Sequence, residues 1–478
     1  MLSTRAQEEE EEEFFAKLRA REFSRLDRLD QVYLDYTGSG LYAESQIRSY
    51  FELLQKHVWG NPHSTNPTSL ESTKQIKAIK ERIRTFFDAE EYEIIFTLNA
   101  TNALKLVGES YPFNDKCSFV LTADNHNSVN GIREFAKAKG AQVRYVPLNS
   151  ELRVDSIEPY FDHRRGSSNL GLFAYPAQSN FSGVKHPLSW IKKAHDFGYD
   201  VLLDAAAYVP TNRLSLSDCE PDFVPISFYK IFGFPTGVGA LLAKRDALKK
   251  LRRPWFSGGT IKYVSTTGMT HLLNDGADAH EDGTVNFLGI LALGAGFDII
   301  ESVGIDKINK NVRELTELLL KRLQELSHSN GRPLVKIYGP KSMESRGGTV
   351  TFNLLDEDGK EIDASKVAEL TTANKISVRT GCFCNPGAAE FAFNYDPVRA
   401  SKCFESIPHE EFTLQQFSTC MDGKPVGAVR ASLGIASNEG DIDRLILVLD
   451  QFRDAKHSKK GKDLLASEAL KINRYDSV

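Results

Sequence analysis

The stretch Ser227 to Ala243 reads SFYKIFGFPTGVGALLA, and it decides how the rest of the chain is organised. Asp222 to Tyr229 is an apolar run with the composition of a buried strand, and Val238 to Ala243 is a second. Between them stand Lys230 and a Gly/Pro turn. Glycines let the backbone approach a neighbour closely. A lysine partly desolvated in such a turn loses proton affinity and becomes a usable amine. Single lysines are usually solvated, so the weight of this reading depends on what surrounds it.

Working outward towards the N-terminus, short apolar runs alternate with amphipathic segments. Strands are predicted at Glu93 to Thr97, Ser118 to Ala123, Val143 to Leu148, Asn169 to Ala177 and Tyr199 to Ala205. Helices are predicted at Gln75 to Phe87 (capped by Ser72 or Thr73), Thr101 to Gly108 and Ser128 to Lys139. Such alternation argues for an α/β fold: a mostly parallel sheet with helices on both faces. After about Gly304 the texture changes. A long amphipathic helix, Ile305 to Leu326, leads to strands at Gly348 to Leu354 and Val429 to Ser432, with a polar insertion between them. The pattern predicts residues 31–303 as a large domain and 304–455 as a smaller α+β domain, with chain near the N-terminus joining it. Residues 1–30 are predicted as an acidic segment, whose Glu8 to Glu13 run reads as a solvated, frayed helix start, and 456–478 as a polar tail.

Composition narrows the classes of function. The 478 residues carry a net charge of -5, with 41% apolar and 26% charged residues. That balance gives no electrostatic case for nucleic acid or an anionic membrane. The longest apolar run, Leu288 to Ile300, is too short to span a bilayer, and the start MLSTRAQEEEEEE lacks a secretory signal, so a cytoplasmic location is expected. Six cysteines in so long a chain do not resemble a disulfide scaffold. The Cys382-x-Cys384 pair has no second pair or nearby histidine at zinc-finger spacing, so no metal is expected.

Four loops follow predicted strands, where ligands of such sheets gather. TLNATNA, Thr97 to Ala103, places small and polar residues at a helix N-terminus, a natural phosphate cradle, although a plain helix cap accounts for them too. DNHNSV places His126 at a strand end, where a flat imidazole can stack on a ring; a lone histidine is more often structural. VLLDAA, Val201 to Ala206, ends an apolar strand on Asp204, a carboxylate that is costly there unless paired. A pyridinium nitrogen would be a suitable partner. The fourth loop carries Lys230.

In this order the four loops resemble the class V aminotransferase and cysteine desulfurase family of fold type I pyridoxal-phosphate enzymes. WGNPHS (Trp59 to Ser64) and SNFSG (Ser179 to Gly183) are similar to family segments, and the likeness runs from about Tyr33 to Ser437. With VRTGCFCNPG (Val378 to Gly387), the fourth loop resembles the desulfurase domain of eukaryotic molybdenum cofactor sulfurases. The resemblance implies that Lys230 holds pyridoxal phosphate as a Schiff base and later moves the Cα proton. It also implies that Asp204 pairs with the ring nitrogen, His126 stacks on the ring and Asn180 contacts the ring hydroxyl. Ala100, Thr101 and Ser227 would bind phosphate, and Tyr229 stands beside the Schiff-base lysine where many bacterial members have histidine. Thr284 in HEDGT would reach the phosphate of a partner subunit in a homodimer. Arg430 in VRASLG would clamp the substrate α-carboxylate, and Arg379 is a second candidate substrate contact whose place beside the two cysteines fits a reactive thiol.

Cys384 aligns with the persulfide-forming cysteine of the desulfurases; Cys382 is a bystander or a relay. The implied reaction takes sulfur from L-cysteine to give alanine, with molybdenum cofactor or a partner protein as acceptor. A C–S lyase, an epimerase, an aminotransferase and a non-catalytic partner of a sulfur acceptor are the alternatives.

Overall fold

The computed structural model describes residues 2–162 and 171–455. The predicted tail, 456–478, lies outside them, as do the first residues of the Asn169 to Ala177 strand. Fifteen strands are present among the described residues: β1 Val32–Tyr33, β2 Tyr92–Thr97, β3 Ser118–Thr122, β4 Gln142–Val146, β5 Gly171–Pro176, β6 Tyr199–Asp204, β7 Phe223–Ser227, β8 Gly239–Lys244, β9 Ile261–Ser265, β10 Thr270–Leu273, β11 Val335–Tyr338, β12 Thr349–Leu354, β13 Ile376–Ser377, β14 Arg379–Gly381 and β15 Ala428–Ser432.

Seven of them form one sheet in the order β2-β8-β7-β6-β5-β3-β4. β3, β5, β6 and β7 are buried along their whole length, as befits strands with helices on both faces. All pairings are parallel except those of β8, which runs antiparallel to β2 and β7. The reason lies in the 227–243 stretch. The connection from β7 to β8 is a single helical turn, Phe228–Phe232, and a Gly/Pro loop, too short to cross over the sheet, so the chain reverses. The register of that reversal sets Thr97, Ser227 and Gly239 side by side at one edge, and Pro176 opposite Asp204. The loops after β2, β3, β6 and β7 therefore leave the sheet at the same end.

Several elements differ from expectation. The strand expected to reach Tyr229 stops at Ser227, and Lys230 lies on the helical turn. The helix expected from Gln75 begins at Pro67 and is capped by Asn66, whose Oδ1 accepts the Ser69 N–H at 3.0 Å; proline at the first position suits that start. Ser72 and Thr73 sit inside it, donating back to Thr68 and Ser69 carbonyls. The helix expected over Ser128 to Lys139 breaks at Gly131 into Asn127–Asn130 and Ile132–Ala138. The glutamate run lies in the first turns of the helix Leu2–Glu22. Its later turns bury Phe15 and Leu18, and Arg19 pairs with Asp441 at 2.6 Å and Asp27 at 2.8 Å.

The second sheet is antiparallel, β11-β12-β15-β14, and β1 pairs with β13 beside it. The long helix, Ile305–Glu325, packs an apolar stripe of Ile308, Val312, Leu319 and Leu323 inward. The polar insertion is helical: Ala364–Ala373, Pro386–Ala392, Pro397–Ser406 and Leu414–Cys420. Cys403 and Cys420 are joined by a disulfide between the last two. Composition speaks to how many cysteines a fold needs, not to which two meet, and this pairing was not anticipated.

Candidate active site

At the end of the large sheet a cavity is lined by Ala100, Thr101, His126, Asn180, Asp204, Ser227, Tyr229 and Lys230, all of them expected, together with Asn99, Ser128 and Gln178. Lys230 is partly buried, and desolvation lowers its pKa; Asp204 opposes that shift, while Arg430 and Arg379 add to it. Asp204 ends β6 and is buried; its Oδ1 accepts the Ala206 N–H at 3.0 Å, and among the described residues its carboxylate takes no other hydrogen bond. Burial likewise lowers the pKa of His126, whose Nδ1 accepts the Ser128 N–H at 3.1 Å, which leaves the proton of the neutral ring to Nε2. Burial raises the Tyr229 phenol.

The cradle beside them is the start of helix Ala100–Ser110. Asn99 caps it through the Asn102 N–H, the Ala100 N–H donates to Ser227 Oγ at 2.8 Å, and Thr101 Oγ1 meets Ser128 Oγ at 2.7 Å. Gly233 and Gly239 of the fourth stretch are required by packing. A Cβ on Gly239 would stand 2.5 Å from Asn99 Cα, and one on Gly233, whose φ is +75°, 2.2 Å from the Tyr42 nitrogen.

The second sheet and the N-terminal loop 34–40 adjoin this cavity through Asn180, whose carbonyl accepts from Arg430. Arg430, on β15, is buried. Its Nη2 meets Asp35 Oδ1 at 3.0 Å, its Nη1 donates to the Asn180 carbonyl at 3.0 Å, and its guanidinium lies 4.7 Å from the Phe383 ring centre. Its Nε is buried with no partner, as is Gln178 Oε1. Burial lowers the Arg430 pKa to about 10 against the pull of Asp35. Arg379, on β14, grips Asp35 through Nε and Nη2 at 2.5–3.1 Å.

Cys384 is exposed, on a loop whose Phe383 and Cys384 both have positive φ (56° and 54°), a backbone region that non-glycine residues rarely adopt. The loop is held at four points. The Asn127 N–H donates to the Cys384 carbonyl at 2.7 Å, and Asn180 Nδ2 to the Phe383 carbonyl at 2.8 Å. Asn385 Nδ2 reaches the Asp124 carbonyl (2.7 Å) and Asn180 Oδ1 (2.9 Å). The Asn180 amide, expected at a ring hydroxyl, is thus engaged with the cysteine loop. Cys382 instead packs partly buried against the cluster of Phe181, Tyr338 and Phe393.

Residues 32–445 match the class-V aminotransferase family. The chain belongs to that family. It is similar to molybdenum cofactor sulfurase 3 of Aedes aegypti, 36% identical over 90% of this chain and 57% of that protein. It is also similar to the human molybdenum cofactor sulfurase, 37% identical over 90% of this chain and 50% of that one. The chain therefore spans about half the length of these relatives. In fold it matches the apo cysteine desulfurase of Thermococcus onnurineus, with a TM-score of 0.74 at 23% identity, over 91% of this chain and 97% of that one.

Within this class-V aminotransferase site, Thr284 stands apart from the rest. It lines a separate cavity with Leu98, Asn102 and Trp255, and Asn61 of the WGNPHS segment donates to its Oγ1 at 3.3 Å. Asp35, Gln178 and Asn385 were missed from sequence. For Asp35 a signal existed, since LDYTGSG repeats the pattern of a short apolar run, a polar residue and a glycine turn.

Proposed function

We propose that this class-V aminotransferase-family chain is a pyridoxal-phosphate-dependent cysteine desulfurase of the molybdenum cofactor sulfurase kind. It would remove sulfur from L-cysteine, leave alanine, and carry the sulfur as a persulfide on Cys384. One observation carries this reading: an exposed cysteine is tied by Asn180 to the cavity that holds a desolvated lysine and a buried aspartate.

The residues fit the cofactor. The Ala100 helix start and the Ser227 and Thr101 hydroxyls suit a phosphate, His126 suits a ring face, and Asp204, with spare acceptor capacity, suits a protonated ring nitrogen. Lys230 has the depressed pKa of an amine meant for an aldehyde. When bound, pyridoxal phosphate supplies an electron sink for the bond broken at the substrate Cα. Lys230 takes and returns the Cα proton, and Arg430 holds the α-carboxylate. The Cys384 thiolate attacks the substrate sulfur. A sulfur–sulfur bond forms, the electrons of the C–S bond pass to the carbon side, and a proton at Cβ completes alanine. The exposed loop then presents the outer sulfur to an acceptor, molybdenum cofactor or a partner protein. A homodimer belongs to the same reading, supported by exposed Leu98 and Trp255 beside Thr284.

The test is alanine formation from L-cysteine by the wild type and by Cys384→Ala, both loaded with cofactor. The wild type is expected to turn over and the variant to retain the visible absorption of bound pyridoxal while losing turnover. Full turnover in Cys384→Ala would sink the desulfurase assignment and favour a C–S lyase.

A further inference from the structure

Two guanidinium groups and one carboxylate meet beside the site, next to its lining residue Asn180: Arg430, Arg379 and Asp35. Asp35 is buried and bridges both arginines, with one oxygen shared between Arg430 Nη2 (3.0 Å) and Arg379 Nε (3.1 Å). The surrounding chain is shaped to this pair. A Cβ on Gly38 would stand 2.7 Å from both Arg379 Nη2 and Asp35 Oδ2, so any side chain there would strike the ion pair. The Gly38 and Ser39 N–H groups both donate to the Asp35 carbonyl, at 2.9 and 3.1 Å, and hold the residue at the head of a tight turn. The cluster lies close enough to Lys230 that all three charges bear on its proton affinity.

We infer that Asp35 is a specificity-determining residue, which restricts the site to amino acids with a single acidic group. The inference rests on the reading that Arg430 receives the substrate α-carboxylate. Two arginines less one aspartate leave one net positive charge, matched by one substrate carboxylate. A substrate with a second acidic group finds Arg379 already gripped by Asp35. To use it, that substrate must displace Asp35 from Arg379 and leave the buried carboxylate with Arg430 alone, which the substrate α-carboxylate then shares; that is unfavourable. Asp35 acts through the two arginines and not on the reacting atoms.

The test is calorimetric binding of L-alanine and L-aspartate, neither carrying sulfur, to the chain loaded with pyridoxal phosphate. For the wild type, L-alanine is expected to bind more tightly. In Asp35→Asn the ratio of the two affinities should move towards L-aspartate by about tenfold or more, and Asp35→Glu should restore the wild-type ratio. Arg379→Gln, a change at a half-exposed side chain, removes the surplus charge and should weaken L-alanine binding by about tenfold even if Asp35→Asn does not fold. An unchanged ratio in folded Asp35→Asn, equal weakening of both ligands, or unchanged L-alanine affinity in Arg379→Gln overturns the inference. A wild type that takes up no pyridoxal phosphate overturns the proposed function itself, which separates the two failures.

Discussion

Lys230 and Cys384 are the two nucleophiles of the proposed reaction, and the fold treats them in opposite ways. Lys230 stands where two fully paired strands end, on one helical turn between β7 and β8, and its surroundings strip it of water. Cys384 is exposed, on a loop in left-handed backbone that is hydrogen-bonded to two other segments, residues 124–127 and Asn180. A lysine that keeps a cofactor meets the same partner in every cycle, so a rigid, dry seat serves it. A cysteine that carries sulfur away must meet a substrate and then an acceptor, which requires a thiol reachable from solvent yet aimed at the cavity.

The contrast breaks most visibly at Lys230. Lys230→Ala is expected to lose turnover by about a thousandfold or more and to lose the covalently held visible absorption, while circular dichroism remains that of a folded protein. Turnover within tenfold of wild type would remove Lys230 from its assigned role.

Asn385 tests the aim of the loop. Its Nδ2 bridges Asp124 and Asn180, and its Oδ1 caps the helix that follows through the Ala388 N–H. Asn385→Ala should cut turnover by about tenfold or more through misplacement of the thiol. It should cost about 1 kcal/mol of stability through the lost cap and leave cofactor absorption unchanged. Wild-type turnover would mean that the loop finds its position without the amide.

A second partly buried lysine sharpens the point that a desolvated amine needs a function to justify it. Burial lowers Lys185 from 10.5 to about 8, and the nearby Arg313 adds to the shift. The folded state therefore binds fewer protons than the unfolded state between those values, so stability should rise as pH increases from about 8 towards 10.5. Lys185→Met should flatten that rise and stabilise the protein at neutral pH by about 1 kcal/mol. Melting curves with the same pH slope in both proteins would contradict the assignment.

The large sheet and the Lys230 side of the site were legible because each feature is local: an apolar run stops and a characteristic residue follows. The four loops needed only that pattern. The Cys384 side was legible in its motif but not in its fastening, because Asn127, Asn180 and Asp124 reach it from far along the chain. Asp35 carries the same local pattern in LDYTGSG, but its partners Arg379 and Arg430 lie 344 and 395 residues further along the chain, which that pattern does not express. The cap at Asn66 is hidden from the periodicity because the apolar spacing starts at Ile76, nearly three turns later. The Cys403–Cys420 bond joins helices whose approach depends on the packing of Phe417 and Met421, which the sequence pattern does not express.

The central claim is that Cys384, and not Cys382, receives sulfur while Lys230 and its neighbours release it. Mass spectrometry of the cofactor-loaded protein after brief incubation with L-cysteine, with alanine measured in the same sample, tests this directly. The predicted result is a Cys384 peptide heavier by one sulfur atom, sensitive to a thiol reductant, with alanine formed alongside it. Alanine produced while Cys384 stays unmodified, or sulfur found on Cys382 alone, would contradict it.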